Sequence, residues 1–211
     1  DSMYLTRVEF PVTYASGTGQ PSTPRELPDG ALGFFVAPGT ATAPTFWRIS
    51  KAGASSSVAF GGSTTSAMRG DFVILPSGRL VAFVPTGTAV ISRFHSTDYG
   101  VTWSAGTLLS LGGATYSLCA EYVEDMIVVV IADPTGVSPA EVHVSFDEGY
   151  TFAPIDSSVN LPNARTCVTS TGIVLVVDSA SGATGVGVRQ IAPGGGLGDE
   201  ILMGATSHAD A

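Results

Sequence analysis

Charge is what this sequence has least of. Only 13% of its 211 residues are charged, Lys51 is the sole lysine, and the formal net charge is −9. With no run of basic residues, there is no source for the phosphate contacts that dominate nucleic-acid binding. Attraction to an anionic lipid surface is excluded on the same ground. Long apolar runs are missing too. The longest, Met126 to Ala132, falls far short of the ~20 residues a spanning helix needs, so no membrane insertion is expected. Cysteine is scarce: Cys119 and Cys167 leave a bridge or two buried thiols equally open and supply no zinc site. His95, His143 and His208 have no Cys or His partner at ligand spacing, so neither a metal nor a cofactor is expected. No segment holds a 3.6-residue period, which excludes long helices. No signal-peptide pattern is present; because the first residue is Asp1, a segment removed upstream is expected.

What the chain does contain is 26 Gly and 13 Pro beside 44% apolar residues, a mixture that suits short strands and many turns. The stretch "STDYGVTW" at 96–103 returns as "SFDEGYTF" at 145–152. Ser, Asp, Gly and Thr recur at the same offsets, and Trp103 is matched by Phe152. Around these copies the apolar runs recur as well. "PDGALGFFV", "PSGRLVAFV", "VEDMIVVVI" and "STGIVLVVD" begin at 28, 76, 123 and 170. Each run starts with a turn and continues as a strand, a loop and a second strand: "TFWRIS", "AVISRFH", "EVHVSF", "VGVRQI". A last strand closes each unit ("SVAFGG", "TLLSL", "FAPID", "EILMG"), and a further one precedes each turn ("FVILP", "YSLCAEY", "RTCVTS"; only "RELPDG" in the first unit).

Four strands in a repeat of nearly fifty residues is one propeller blade. The expected fold is therefore all-β: a β-propeller of four-stranded antiparallel blades, about four of them in this chain, spanning 25–211. Residues 1–24 read as an N-terminal extension with one strand, "MYLTRVEFPVTY", that closes the ring or pairs with a partner chain. The repeated motif falls in the turn between the third and fourth strands. There the Asp takes backbone N–H groups, the Ser hydroxyl bonds across the turn and the Gly supplies a positive φ. The aromatic residue is expected to return into its own blade as an apolar anchor. In the first unit "ISKAGASS" keeps only Ser50 and a Gly; in the fourth, "IAPGGGLGD" keeps only glycines. With neither a following helix pattern nor a Lys-Ser/Thr pair, those glycines are not a phosphate cradle.

The spacing S-x-D-x-G-x-T-W resembles the Asp-box, or BNR repeat, of sialidase-like β-propellers. The likeness is carried by Ser96, Asp98, Gly100 and Trp103 and by Ser145, Asp147, Gly149 and Phe152, and it covers roughly residues 25–204. It implies the fold and a structural role for those eight residues. It leaves function open, since such propellers serve as sialidases, other glycoside hydrolases, sorting receptors, photosystem assembly factors and phage or bacterial surface proteins. The resemblance also implies that the Asp-box lies away from the substrate face. Sialidase chemistry in this family uses three arginines to clamp a carboxylate, with a Tyr–Glu nucleophile pair and an Asp acid/base. Arg25, Arg69 and Arg165 stand just before or within the first strands and are the candidate ligand-binding residues. Where the family has Arg-Ile-Pro, however, Arg69 opens Arg-Gly-Asp, and Tyr116 and Tyr122 fall too early in the chain for the nucleophile. The Arg-Gly-Asp tripeptide enters a strand instead of tipping a loop, which disfavours an integrin motif. In the loops between second and third strands, Asp133 is the one acidic residue, with Glu141 and Asp178 at the margins. That is little material for general acid–base catalysis.

The expected function is a non-catalytic interaction or structural module that presents a loop face to protein or glycan. A phage virion component (tail or capsid surface) or surface adhesin is expected, with protein neighbours in an assembly, an oligomeric state and a virion or extracellular location. The alternatives are a sialidase-like glycoside hydrolase and a secreted bacterial glycan-binding protein.

Overall fold

The computed structural model describes residues 21–36, 43–60, 70–87, 90–104, 106–110, 117–132, 140–159, 165–169, 172, 174–179, 185–192, 194–199 and 201–204. They form sixteen strands in four antiparallel sheets, with no helix among the described residues. The first sheet holds β1 (Arg25–Glu26), β2 (Leu32–Val36), β3 (Thr45–Ile49) and β4 (Ser55–Ala59). The second holds β5 (Asp71–Ile74), β6 (Leu80–Gly87), β7 (Val90–Ser96) and β8 (Thr107–Ser110). The third is β9 (Ser117–Val123), β10 (Met126–Ala132), β11 (Ala140–Ser145) and β12 (Ala153–Val159). The fourth is β13 (Arg165–Val168), β14 (Val174–Ser179), β15 (Gly185–Ile191) and β16 (Ile201–Gly204). Each sheet is a meander in chain order, which matches the four-stranded units legible in the sequence. The proposed N-terminal strand at 3–14 lies outside the described residues. Pairing onto β2 reaches back to Pro21, which bridges Val36.

The apolar runs of the second strands are explained by burial on both faces. In a strand, successive side chains point to opposite faces. Leu80, Ala82 and Val84 of β6 pack toward the first sheet with Leu27, Phe35, Phe46 and Phe60. Val81 and Phe83, the alternate residues, pack toward the third sheet with Leu118, Ala120, Ile127, Val129 and Ile131. Met126, Val128 and Val130 of β10 in turn meet Val174, Val176 and Ile191 of the fourth sheet. Three apolar layers thus join four sheets in sequence, and each fully buried Val, Leu, Ile or Phe contributes roughly 1.5–3 kcal/mol.

The turn between the first and second strands is built two ways. In the first and second sheets it uses glycines with positive φ, Gly30 (79°) and Gly78 (82°). In the third sheet Val123 pairs with Met126 across two L-residues in the left-handed region, Glu124 (47°) and Asp125 (64°). This is the geometry of a two-residue turn that matches strand twist. The Tyr122 hydroxyl donates to Asp125 Oδ1 at 2.8 Å beside it.

Candidate functional site

Antiparallel meanders put the entry to each first strand at one end of the molecule and the third-to-fourth-strand turns at the other. Arg25 opens β1, Asp71 opens β5 and Arg165 opens β13, all at the entry end. Arg69 and Asp133 lie outside the described residues, and for Arg165 and Asp178 only the strand position is described.

Arg25 does not stand open to a ligand. Its guanidinium donates to the Ala120 carbonyl at 2.8 Å and to Glu121 Oε2 at 3.2 Å, and lies 3.8 Å from Asp71 Oδ2. It also sits 5.8 Å from the Phe72 ring centroid. Thr166 Oγ1 donates to Glu121 Oε1 at 3.5 Å, so one polar cluster links first strands of all four sheets. Asp71, 7% exposed, accepts backbone N–H bonds from Phe72 and from Ala120, both at 2.9 Å. Burial pushes its carboxyl up to about 6, against the lowering effect of Arg25 and of those two N–H groups. The Arg-Gly-Asp aspartate is therefore a buried strand residue tied to the neighbouring sheet, which removes the integrin reading. A small cleft beside the cluster is lined by Ser22, Thr23, Cys119 and Thr166. The Cys119 thiol is buried there, 3.9 Å from the Val130 carbonyl.

At the opposite end lie the two repeated turns, and their bonding is the same in both. Ser96 Oγ donates to Asp98 Oδ1 at 2.8 Å and accepts from Gly100 N at 2.8 Å. Asp98 also accepts from Thr102 N at 2.8 Å and Thr102 Oγ1 at 2.6 Å. Ser145, Asp147, Gly149 and Thr151 repeat the pattern at 2.8, 2.9, 2.8 and 2.6 Å. Thr102 and Thr151 complete the network; their recurrence in both copies was the available signal for them. Desolvation opposes ionisation of Asp147, but bonds from Thr151 and Ser145 outweigh it and hold the carboxyl at about 2. In Asp98 bonds from Thr102 and Ser96 likewise outweigh desolvation, with the shift again downward.

The aromatic residue of each turn packs in the layer between its own sheet and the preceding one. Trp103 packs on Phe46 and Phe60 of the preceding sheet, at 5.1 and 5.4 Å between centroids. Phe152 meets Phe83 of the preceding sheet edge-on at 5.4 Å. Strand alternation predicts a face but not which sheet lies across it, so the motif joins sheets where the sequence pointed to a staple within one.

The second copy holds further groups at the seam with the second sheet that sequence reasoning missed. The Arg79 guanidinium donates to Tyr150 Oη and, at 2.8 Å, to both the carbonyl and Oε2 of Glu148; it lies 4.5 Å from the Tyr150 ring centroid. His95 stacks on the same ring at 5.6 Å and 23°. Burial, then the charges of Arg93 and Arg79, push the His95 imidazole down to about 4, so it is neutral near pH 7. His143 contacts Glu141 at 2.8 Å on β11, and His208 lies outside the described residues. No group of three metal-ligating side chains occurs among the described residues.

No protein-family model matches the sequence, and no curated protein matches it. Solved structures do. The chain is similar to a fungal lectin from Aleuria aurantia, described as a six-bladed β-propeller with a novel fucose recognition mode. The TM-score is 0.61 at 16% identity over 84% of this chain and 59% of the lectin. It is similar to the NanB sialidase of Streptococcus pneumoniae, with TM-score 0.51 and 19% identity over 75% of this chain and 28% of the sialidase. It is also similar to a prolyl endopeptidase, with TM-score 0.55 and 16% identity over 90% of this chain and 29% of the enzyme. A lectin, a glycosidase and a peptidase share only architecture, so the likeness shows the β-propeller fold alone. The chain spans about three fifths of the length of the lectin structures it matches, and the described residues show an arc of four sheets without a closed ring.

Proposed function

We propose that this chain is a non-catalytic, carbohydrate-binding β-propeller module that works among protein neighbours at a virion or extracellular surface. The observation that carries the non-catalytic part is the engagement of Arg25. A clamp for a substrate carboxylate needs a guanidinium whose donors face the ligand. Here the donors go to Glu121 and the Ala120 carbonyl, with Asp71 beside them. The charge of Arg25 is spent holding first strands together.

Supporting the glycan part is the architecture shared with a lectin described for fucose recognition, together with exposed aromatic side chains on one turn. The virion setting draws on a single lysine, a mean hydropathy of +0.33 and loops rich in Gly, Ala, Ser and Thr. In this reading the four blades are an Asp-box arc that neighbours complete.

The test pairs a fluorogenic sialoside with an immobilised glycan panel. Retention on glycans without sialoside turnover is expected. Turnover abolished by Arg69→Ala would instead establish the hydrolase.

A further inference from the structure

In the repeated turn S-x-D-x-G-x-T-W/F the fixed residues are consumed by folding. Ser and Asp bond across the turn, Gly packs inward and the aromatic reaches the preceding sheet. The variable positions are left free to vary. In the second sheet they are Thr97, Tyr99 and Val101. In the third they are Phe146, Glu148 and Tyr150, and all three project into water: Phe146 is 57% exposed, Tyr150 60%, and the Glu148 side chain 59%.

The hydrogen bonds that close the turn use none of these three side chains. Where Tyr150 stands, the other copy has Val101. Yet Tyr150 is held in place: Arg79 donates to its hydroxyl and lies over its ring, His95 stacks on it, and Arg93 donates to its carbonyl. An exposed aromatic fixed in advance loses little freedom on binding, and Tyr offers a large rigid surface with only two rotatable angles. Phe146 is steadied on its other side by the turn of the fourth sheet, where a Cβ on Gly195 would stand 3.2 Å from its ring.

The geometry points to this turn as an oligosaccharide-binding ridge, with Phe146 and Tyr150 as platforms for the C–H faces of sugar rings and Glu148 as acceptor for their hydroxyls. The proposal rests on the carbohydrate-binding reading above and names its site and ligand class. A ridge of three side chains suits a small ligand, because a stable protein interface takes roughly 800 Å² from each partner. Arg79 takes Glu148 Oε2 at 2.8 Å, and Oε1 of the same carboxylate, between two aromatics, suits hydroxyl donors, since a charged acceptor strengthens each hydrogen bond. The chain's net charge of −9 disfavours sialylated and other acidic sugars. The ridge lies at the opposite end of the molecule from Arg25, so the two sites are tested independently.

The experiment is isothermal titration and saturation-transfer NMR of the full chain with chitotriose, maltotriose, N-acetyllactosamine and sialyllactose. We expect a neutral sugar to bind the unaltered protein and sialyllactose to bind less. Phe146→Ala, Tyr150→Ala and Glu148→Gln should each weaken binding at least about tenfold, the size expected of an interface anchor, while Val101→Ala leaves it unchanged. Thermal unfolding checks each variant. If Tyr150→Ala loses its fold, Phe146→Ala and Glu148→Gln, which leave the Arg79–Tyr150 contact in place, decide. Binding that survives in the folded variants overturns the ridge and leaves the lectin reading standing. Failure of every sugar to bind the unaltered protein overturns both.

Discussion

The indole of Trp103 lies edge-on to Phe46, 5.1 Å between centroids, across the seam between the first and second sheets. Gly100 of the same turn presses on the same phenyl ring: a Cβ there would come 2.4 Å from Phe46 Cε1, and the residue's φ is 85°. Glycine is thus required twice, for the left-handed backbone and for the close approach.

Trp103→Ala should cost about 3 kcal/mol of unfolding free energy, the low end for a large aromatic because the ring is only partly covered. A double-mutant cycle with Phe46→Leu should show a coupling of roughly 0.5–1.5 kcal/mol. Additive effects would mean that the two rings do not act together across the seam. Urea denaturation reads both quantities.

Asp98→Ala removes three hydrogen bonds from one turn and should destabilise by about 1–3 kcal/mol. Asp147→Ala should behave alike, since its bonds are the same. A melting temperature unchanged in both variants would show that the turns are dispensable.

Asp71 gives the stability an unusual pH dependence. Its carboxyl is held at about 6 in the folded protein, against about 4 in an unfolded chain. Between those values the folded state binds more protons, so this residue makes stability fall as pH rises from about 4 to about 6, with no further change above. The effect is on the order of 3 kcal/mol. Asp71→Asn should flatten that part of the profile in denaturant titrations between pH 4.5 and 7.5. Asp98 and Asp147, held below the usual range, act oppositely. Their contribution is intact above pH 4 and is lost as acid protonates the folded turns.

Arg25→Met removes the cation that partly offsets the burial of Asp71. The Asp71 carboxyl should then titrate higher than about 6, extending the falling limb of the stability profile upward. An unmoved profile would show that Arg25 and Asp71 are not coupled.

Much of the fold was legible because the middle strands are apolar on both faces and stop at turn residues. The runs around Leu80–Val84 and Met126–Ile131 have no other comfortable home than a sheet between two sheets. The turns were legible because Ser, Asp, Gly and Thr recur at fixed offsets and act on their own backbone. What crosses between sheets was not. Arg25 meets Glu121 across 96 positions, and no local pattern announces such a pair. The reach of Trp103 and Phe152 to the preceding sheet is hidden for the same reason. Arg79 and Tyr150 also escaped notice: each stands at a position the turn leaves free, and only the folded seam brings them together.

Binding without turnover is read in a single experiment. The unaltered protein is followed by proton NMR over a day in the presence of neutral and sialylated oligosaccharides. Saturation transfer to an intact neutral sugar is expected, with its spectrum unchanged at the end. A new anomeric signal from a released product would contradict it.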